Sequence, residues 1–351
     1  MKAWNLHDIG DIRLENVKDP SPGRGEVIVK VKATGICGSD IPRIYKTGAH
    51  NMPLIPGHEF AGEVVSVGEG VRSDLKGQRV AAFPLFPCHK CLPCKKGLYE
   101  MCEHYDFAGS RSDGAFAEYV RVPEWNLIEL PDDIPYSLAA MLEPMGVAVH
   151  ALRTADIKAD DTICVSGVGT IGLLLTGFLI DAGYRNILVI GNKDFQKEKA
   201  VKIGIPEDNF CDIRKYNPAK WISDKAGGID IYFECVGKNE SLSLGVIAAA
   251  PGGQIILVGN PASDMTLEKD IYWKITRRQL TVKGIWNSSF TGKEDDDWHY
   301  VLSALSHLPF DAEEFITHRF VIEDLEKGFC IMRDKSEDYI KILMLSPDSQ
   351  S

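Results

Sequence analysis

At 351 residues, with 44% hydrophobic and 25% charged side chains, the chain exceeds one ordinary domain and carries apolar material for two cores. A net charge of −11 argues against nucleic acid or an acidic membrane surface as the main partner. No charged leader runs into an apolar stretch near Met1, and no stretch approaches the roughly 20 apolar residues of a membrane span, so the expected location is the cytoplasm.

Residues 1–150 read as short strands punctuated by glycine and proline. Period-two alternation runs through 26–33, 61–68, 79–82 and 116–122, the pattern of a barrel-like β domain. Helix-compatible stretches at 136–141 and 147–152 lead out of it. The pattern then changes: residues 162–166 form a short apolar strand that enters a glycine-rich turn, and a helical stretch follows to Gly183. Strands at 186–190, 229–234, 254–258 and 280–284 continue, with helix-length segments between them. This alternation predicts an α/β fold with a doubly wound parallel sheet over 151–286. Residues 287–351, with a helical stretch near 295–307 and a strand-like 320–322, are expected to return to the first domain.

The turn after the first strand of the second domain is Gly167-Val168-Gly169-Thr170-Ile171-Gly172. Its glycines suit a tight turn, close approach of a pyrophosphate and close helix–strand packing. Thr170 and Ile171 open the helix whose free N–H groups face the phosphates. The position that carries Asp or Glu in NAD-preferring sites, at the end of the next strand, holds Gly191, followed by Asn192 and Lys193. Without a carboxylate a 2′-phosphate is not repelled, and Lys193 can pair with it, so NADP(H) is expected over NAD(H). The alternative is that Asp194 or a backbone contact serves NAD.

Nine cysteines are present, and Cys88-x2-Cys91-x2-Cys94-x7-Cys102 gathers four within one short lobe, residues 86–104. Four thiolates close a tetrahedral structural zinc site; an iron–sulfur run would continue with a three-residue spacing and then proline. Cys164, Cys211, Cys235 and Cys330 read as ordinary thiols. A second set is more dispersed: Cys37 in Gly35-Ile36-Cys37-Gly38-Ser39-Asp40, His58 and Glu59 in Gly57-His58-Glu59, and Glu143 in Leu142-Glu143-Pro144. One sulfur, one imidazole and carboxylate oxygens suit a borderline-soft divalent ion, usually zinc. Taken singly, each residue fits a core or surface role better than a ligand's.

These segments, with 113–119 and the glycine fingerprint, resemble the zinc-containing medium-chain dehydrogenases/reductases over essentially the whole chain. Within that family Glu143 resembles the polyol dehydrogenase branch, which has glutamate where alcohol dehydrogenases have a third zinc-binding cysteine. Segments 37–50 and 105–111 resemble its members that act on polyol phosphates. The resemblance implies a GroES-like β-rich catalytic domain, 1–150 with 287–351, around a Rossmann domain, with the active site in the cleft. It implies two zinc ions per chain: a catalytic one on Cys37, His58 and Glu143, with Glu59 an adjacent exchangeable ligand, and a structural one on Cys88, Cys91, Cys94 and Cys102. It further implies hydride transfer to NAD(P)+ from a secondary hydroxyl of a polyol phosphate resembling galactitol 1-phosphate, giving a ketose phosphate such as tagatose 6-phosphate. A homodimer or homotetramer is implied as well.

Ser39 matches the family's first proton-relay hydroxyl, whereas the next relay histidine of alcohol dehydrogenases falls at Pro42. For the substrate, Arg43 stands where sorbitol dehydrogenases carry tyrosine, and a guanidinium there can clamp a phosphate; the alternative is a salt bridge. His50, Lys46 and Arg111 are further candidates, and Trp286 and Asn287 are candidate cleft residues. Two other readings stand beside this one: the same chemistry on an unphosphorylated alcohol or polyol (sorbitol, threonine or butanediol type), and a non-catalytic nucleotide-binding protein, which loss of a zinc ligand would favour.

Overall fold

The computed structural model describes residues 1–261 and 263–349. The chain forms two compact units, one of 1–143, 289–302 and 312–351, the other of 144–288 and 303–311. The sequence expectation puts the boundaries after 150 and before 287; in the structure residues 144–150, 287–288 and 303–311 cluster with the second unit.

The first unit opens with an antiparallel hairpin of β1 (Lys2–Asp8) and β2 (Asp11–Asn16). The long strand β3 (Glu26–Ile36) pairs along its length with β4 (Glu59–Val67), which pairs in turn with β5 (Arg79–Ala82). Short strands β6 (Leu85–Phe86) and β7 (Asp106–Phe107) pair with each other across the cysteine lobe. Beyond the lobe, β8 (Tyr119–Pro123) adds to the first half of β3, and β9 (Leu127–Glu129) adds to β5. The alternation in β3 and β4 puts Val27, Val29, Val31, Phe60 and Val64 into one apolar core with Phe116 and Phe329.

The second unit is a six-stranded, wholly parallel sheet: β10 (Ile163–Ser166), β11 (Ile187–Gly191), β12 (Phe210–Asp212), β13 (Ile229–Glu234), β14 (Ala249–Leu257) and β15 (Thr281–Gly284). Its spatial order is β12-β11-β10-β13-β14-β15, so the direction of winding reverses between β10 and β13. Every residue of β10 and β11 is buried, as expected of strands covered on both faces by helices. Ligands of such sheets sit beyond the carboxyl ends of the strands at the reversal.

The chain then returns. Strand β16 (Ile316–Phe320) pairs with β17 (Lys341–Leu345), and β17 lies antiparallel to the second half of β3, completing a seven-stranded sheet. This register brings residue 341, near the end of the chain, to the strand that leads into Cys37. Among the described residues no helix is long and apolar enough to cross a membrane.

Candidate metal centres and dinucleotide site

Three segments meet at the end of β3. Cys37 leaves that strand, and its N–H donates to Asp40 Oδ2 at 2.9 Å. Glu59 begins β4 opposite Gly35, with His58 just before it. Gly57 needs its glycine: φ is +98°, and a Cβ would lie 2.6 Å from the Phe116 ring. The N–H of Ala115 donates to Gly57 O at 2.9 Å, pinning the turn from which His58 emerges. The sulfur of Cys37, a ring nitrogen of His58 and a carboxylate oxygen of Glu59 lie within 4.8 Å of one another. His58 and Glu59 are buried and Cys37 is half-buried.

Two charged residues around this cluster change its reading. Asp40 is fully buried; its Oδ1 accepts from Arg43 Nη1 at 2.6 Å and lies 3.5 Å from His58 Nδ1. Burial works against a charged His58, but the Asp40 carboxylate and Cys37 outweigh it and hold the imidazole well above its ordinary pKa. On the other side, Lys341 of β17 forms a buried ion pair with Glu59 and donates to Ile36 O at 3.2 Å. Glu59 reaches Lys341 across β3 at Gly35, where any Cβ would overlap Glu59 Oε2. The sequence reading missed Lys341 and the reason for Gly35. Both depend on the pairing of β17, β3 and β4, which joins residues far apart in the chain.

Glu143 sits in the first turn of the helix Leu142–Thr154 and is 7% exposed. It is not part of the mutually close set of Cys37, His58 and Glu59. Burial pushes its carboxyl up to about 7; His58 and Lys341 pull it down, while Glu59 and Asp40 push it up. Ser39 is half-exposed, and its hydroxyl makes no hydrogen bond among the described residues. His50 and Lys46 are exposed.

The cysteine lobe is compact. Sulfur–sulfur distances are 3.4 Å for Cys91–Cys94, 3.8 Å for Cys91–Cys102 and 4.0 Å for Cys88–Cys94. A tetrahedron with metal–sulfur bonds of about 2.3 Å has edges of about 3.8 Å, whereas a disulfide needs about 2.05 Å. All nine cysteines are unbridged, and the lobe's four sulfurs fit one zinc ion. Backbone N–H groups of Lys90 and Cys91 pull the Cys88 thiol down to about 6, while burial pushes Cys94 up to about 12. The lobe thus already stabilises one thiolate.

In the second unit, β10 delivers Gly167 (φ +91°), and Gly169 caps the helix Thr170–Asp181. A Cβ at Gly172 would overlap Gly167 O, which is why strand and helix can turn so sharply here. Gly191 ends β11, the N–H of Asn192 donates to Gln196 Oε1 at 3.1 Å, and Lys193 caps the helix Asp194–Lys202. Arg214 was missed by the sequence reading. The pairing of Gly191 with Asp212 brings it beside this turn, where it binds Asp212 at 2.7 Å and Asp194 at 2.6 Å. Trp286 is half-exposed, and Asn287 has φ +58°.

Residues 23–132 match the alcohol dehydrogenase GroES-like domain and residues 170–307 the zinc-binding dehydrogenase domain. Galactitol 1-phosphate 5-dehydrogenase of Escherichia coli is 35% identical over 310 residues, 86% of this chain and 88% of that protein. The chain belongs to the zinc-containing medium-chain dehydrogenases/reductases. It is an oxidoreductase of this zinc- and NAD(P)-dependent family, with the two-domain α/β fold anticipated from its motifs. The crystal structure of galactitol-1-phosphate dehydrogenase from Escherichia coli superposes with a TM-score of 0.91 at 32% identity, covering 99% of this chain and 100% of that one. L-threonine 3-dehydrogenase of Klebsiella pneumoniae is 31% identical over 327 residues, 92% of this chain and 93% of the relative. A family member of Sinorhizobium meliloti solved with NADP has a TM-score of 0.88 at 26% identity, covering 98% of this chain and 99% of that one.

Proposed function

We propose that this medium-chain dehydrogenase oxidises a secondary hydroxyl of a polyol phosphate, of the galactitol 1-phosphate type, to the ketose phosphate, using NADP+. The observation that carries the chemistry is the convergence of Cys37, His58 and Glu59 within 4.8 Å of one another. Cys37, His58 and Glu143 hold the catalytic zinc; Cys88, Cys91, Cys94 and Cys102 hold a second, structural ion. The bound zinc supplies Lewis acidity toward the substrate hydroxyl, and the nicotinamide accepts the hydride.

The protein's own residues set the rest. Asp40 orients His58 through the nitrogen that faces it, leaving the other ring nitrogen to ligate. Lys341 holds the Glu59 carboxylate over Gly35, which makes Glu59 an occasional ligand and not a permanent one. Ser39 Oγ, free of other hydrogen bonds, takes the substrate's hydroxyl proton; Pro42 offers no side-chain acceptor, so water or the cofactor ribose carries it onward. NADP+ is favoured by Gly191 in place of a carboxylate, with Lys193 just after it; Arg214 is already paired with Asp212 and Asp194.

The phosphorylated substrate rests on the likeness to galactitol 1-phosphate 5-dehydrogenase. One observation favours a second reading, an unphosphorylated alcohol or amino alcohol: Arg43, the expected phosphate clamp, is committed to Asp40. Assembly as a homodimer or homotetramer is supported by β15, an edge strand with all four residues exposed. The location we propose is the cytoplasm.

Initial rates on hexitols, pentitols, L-threonine and the corresponding polyol phosphates, each with NAD+ and NADP+, test the proposal. A higher kcat/KM for a polyol phosphate than for its parent polyol, and for NADP+ than for NAD+, is the expected result. Preference for the parent polyol or threonine would overturn the substrate, and preference for NAD+ the cofactor.

A further inference from the structure

Arg43 cannot bind a substrate anion without abandoning Asp40. That carboxylate is fully buried, also accepts the Cys37 N–H at 2.9 Å, and faces His58. Removing its guanidinium partner would leave a buried charge uncompensated beside the metal centre. Arg43 is therefore part of the support of that centre.

A different guanidinium in the same unit has no such commitment. The segment 105–112 folds back on the Phe107 carbonyl, which accepts the N–H groups of Ser110 (3.2 Å), Arg111 (3.0 Å) and Ser112 (3.2 Å). The Phe107 ring packs edge-on against His58, with centroids 5.5 Å apart, and Tyr105 lies 6.4 Å from Phe107. Arg111 lies over the Tyr105 ring, its Cζ 4.5 Å from the centroid. His50 N–H donates to Ser110 O at 3.1 Å and Asn51 Nδ2 to Arg111 O at 3.2 Å, so the loop bearing His50 is fastened to the same segment.

Arg111 is half-buried, its Nε is inaccessible and without a hydrogen-bond partner, and its guanidinium forms no ion pair among the described residues. The nearest acids in sequence are otherwise placed: Asp113 accepts the Ile55 N–H at 3.0 Å, and Asp106 accepts the Phe107 N–H at 2.7 Å. A half-buried guanidinium fixed against an aromatic ring, with no ion pair of its own, can take an arriving acceptor through its terminal nitrogens, while the inaccessible Nε stays out of reach. A phosphomonoester is the acceptor that its planar fork fits with two parallel bonds.

We infer that Arg111, held over the Tyr105 ring, receives the phosphate of the polyol substrate and sets specificity for it, while Arg43 positions Asp40. The inference rests on the polyol-phosphate reading above. The hydroxyl to be oxidised then lies toward His58 and the phosphate toward Arg111, with the Phe107 and Tyr105 rings between the two ends.

The test compares a hexitol 1-phosphate with the same hexitol unphosphorylated, for the wild type and for Arg111→Ala, Arg111→Lys and Arg43→Ala, with inorganic phosphate as a competing anion. Loss of two charge-assisted hydrogen bonds in Arg111→Ala should cut the selectivity ratio by about 10- to 100-fold, chiefly through KM, and weaken inhibition by inorganic phosphate. Arg111→Lys should restore part of it. Arg43→Ala should depress kcat on both substrates and lose metal while keeping the ratio. Unchanged selectivity and phosphate inhibition in Arg111→Ala, or their loss in Arg43→Ala alone, would overturn the inference and leave the polyol-phosphate reading intact. A wild type that prefers the unphosphorylated hexitol would overturn both, and is distinguished before any variant is made. Should Arg111→Ala fail to fold, Arg111→Gln, which keeps the stem on Tyr105, gives the same comparison.

Discussion

Replacing Lys341 by methionine tests whether the pair with Glu59 organises the metal centre. Lys341 and Glu59 have side chains 3% and 2% exposed, so neither charge has water to fall back on. Methionine keeps most of the aliphatic stem within the sheet register of β17 and β3. What it removes is the ammonium, its bond to the Glu59 carboxylate and its bond to Ile36 O. Breaking a buried pair from one side costs about 3–5 kcal/mol, because the surviving charge stays buried. At about 2–4 °C per kcal/mol for a domain of this size, the first unit should melt on the order of 10 °C lower. The Glu59 carboxylate can escape only by protonation or by moving toward Cys37 and His58, so zinc content measured alongside the melting should change too. Glu59→Gln in the same chain removes the stranded charge, and the double variant should recover about 2 kcal/mol or more of the loss. Urea unfolding of the wild type, both single variants and the double variant yields the coupling directly. If Lys341→Met unfolds within about 1 kcal/mol of the wild type and the cycle shows no coupling, the pair does not hold Glu59, and its reading as a restrained ligand fails.

Gly191→Asp, the substitution that would graft an NAD-type carboxylate onto β11, should not convert the enzyme alone. A Cβ there lies 2.6 Å from the Phe210 ring and 2.9 Å from Val168, so the variant should lose about 1–3 kcal/mol and bind both cofactors poorly until Phe210 is also reduced; a single variant of wild-type stability with clean NAD+ preference would refute this. Asp348 binds Lys30 at 2.6 Å and Lys32 at 2.8 Å, and hydrogen bonds from these lysines and Ser346 hold its carboxyl well below the usual range. A carboxyl depressed on folding stabilises above its unfolded value of about 3.9 and loses that contribution as pH falls toward the folded value. Asp348→Asn should therefore cost up to about 1 kcal/mol at pH 7, and the gap to the wild type should close below about pH 4 in unfolding titrations; a gap that persisted there would remove the assignment.

How much of this was legible in the sequence follows from how far apart the interacting residues lie. The parallel sheet was readable because β10 and β11 are buried on both faces and so appear as apolar runs, and because the Gly167–Gly172 turn is local. The cysteine lobe was readable for the same reason: its spacing falls within one turn-rich segment, and the sulfurs meet at the distances a single ion needs. Cys37, His58 and Glu143 stood out as candidates from their flanking residues, but the distances among them did not, since these depend on where β3, β4 and the helix Leu142–Thr154 lie. Lys341 and Arg214 were out of reach, because each is brought to its site by strand pairing across the sheet.

Arg43 is the instructive case. The sequence offered it as a substrate-facing residue and left phosphate and salt bridge as alternatives, and the structure pairs it with Asp40. The signal that could have decided this was present: Asp40 and Arg43 are three residues apart in a stretch that turns helically at Asp40–Pro42, the spacing at which opposite charges meet on one face. A buried acid behind His58, the proposed zinc ligand, needs a cation more than a solvent-accessible substrate does. That demand is internal and permanent, whereas a substrate phosphate is met only when substrate is present. A guanidinium that serves the substrate must therefore be one the fold has left unpaired, and Arg111 on Tyr105 meets that condition where Arg43 does not.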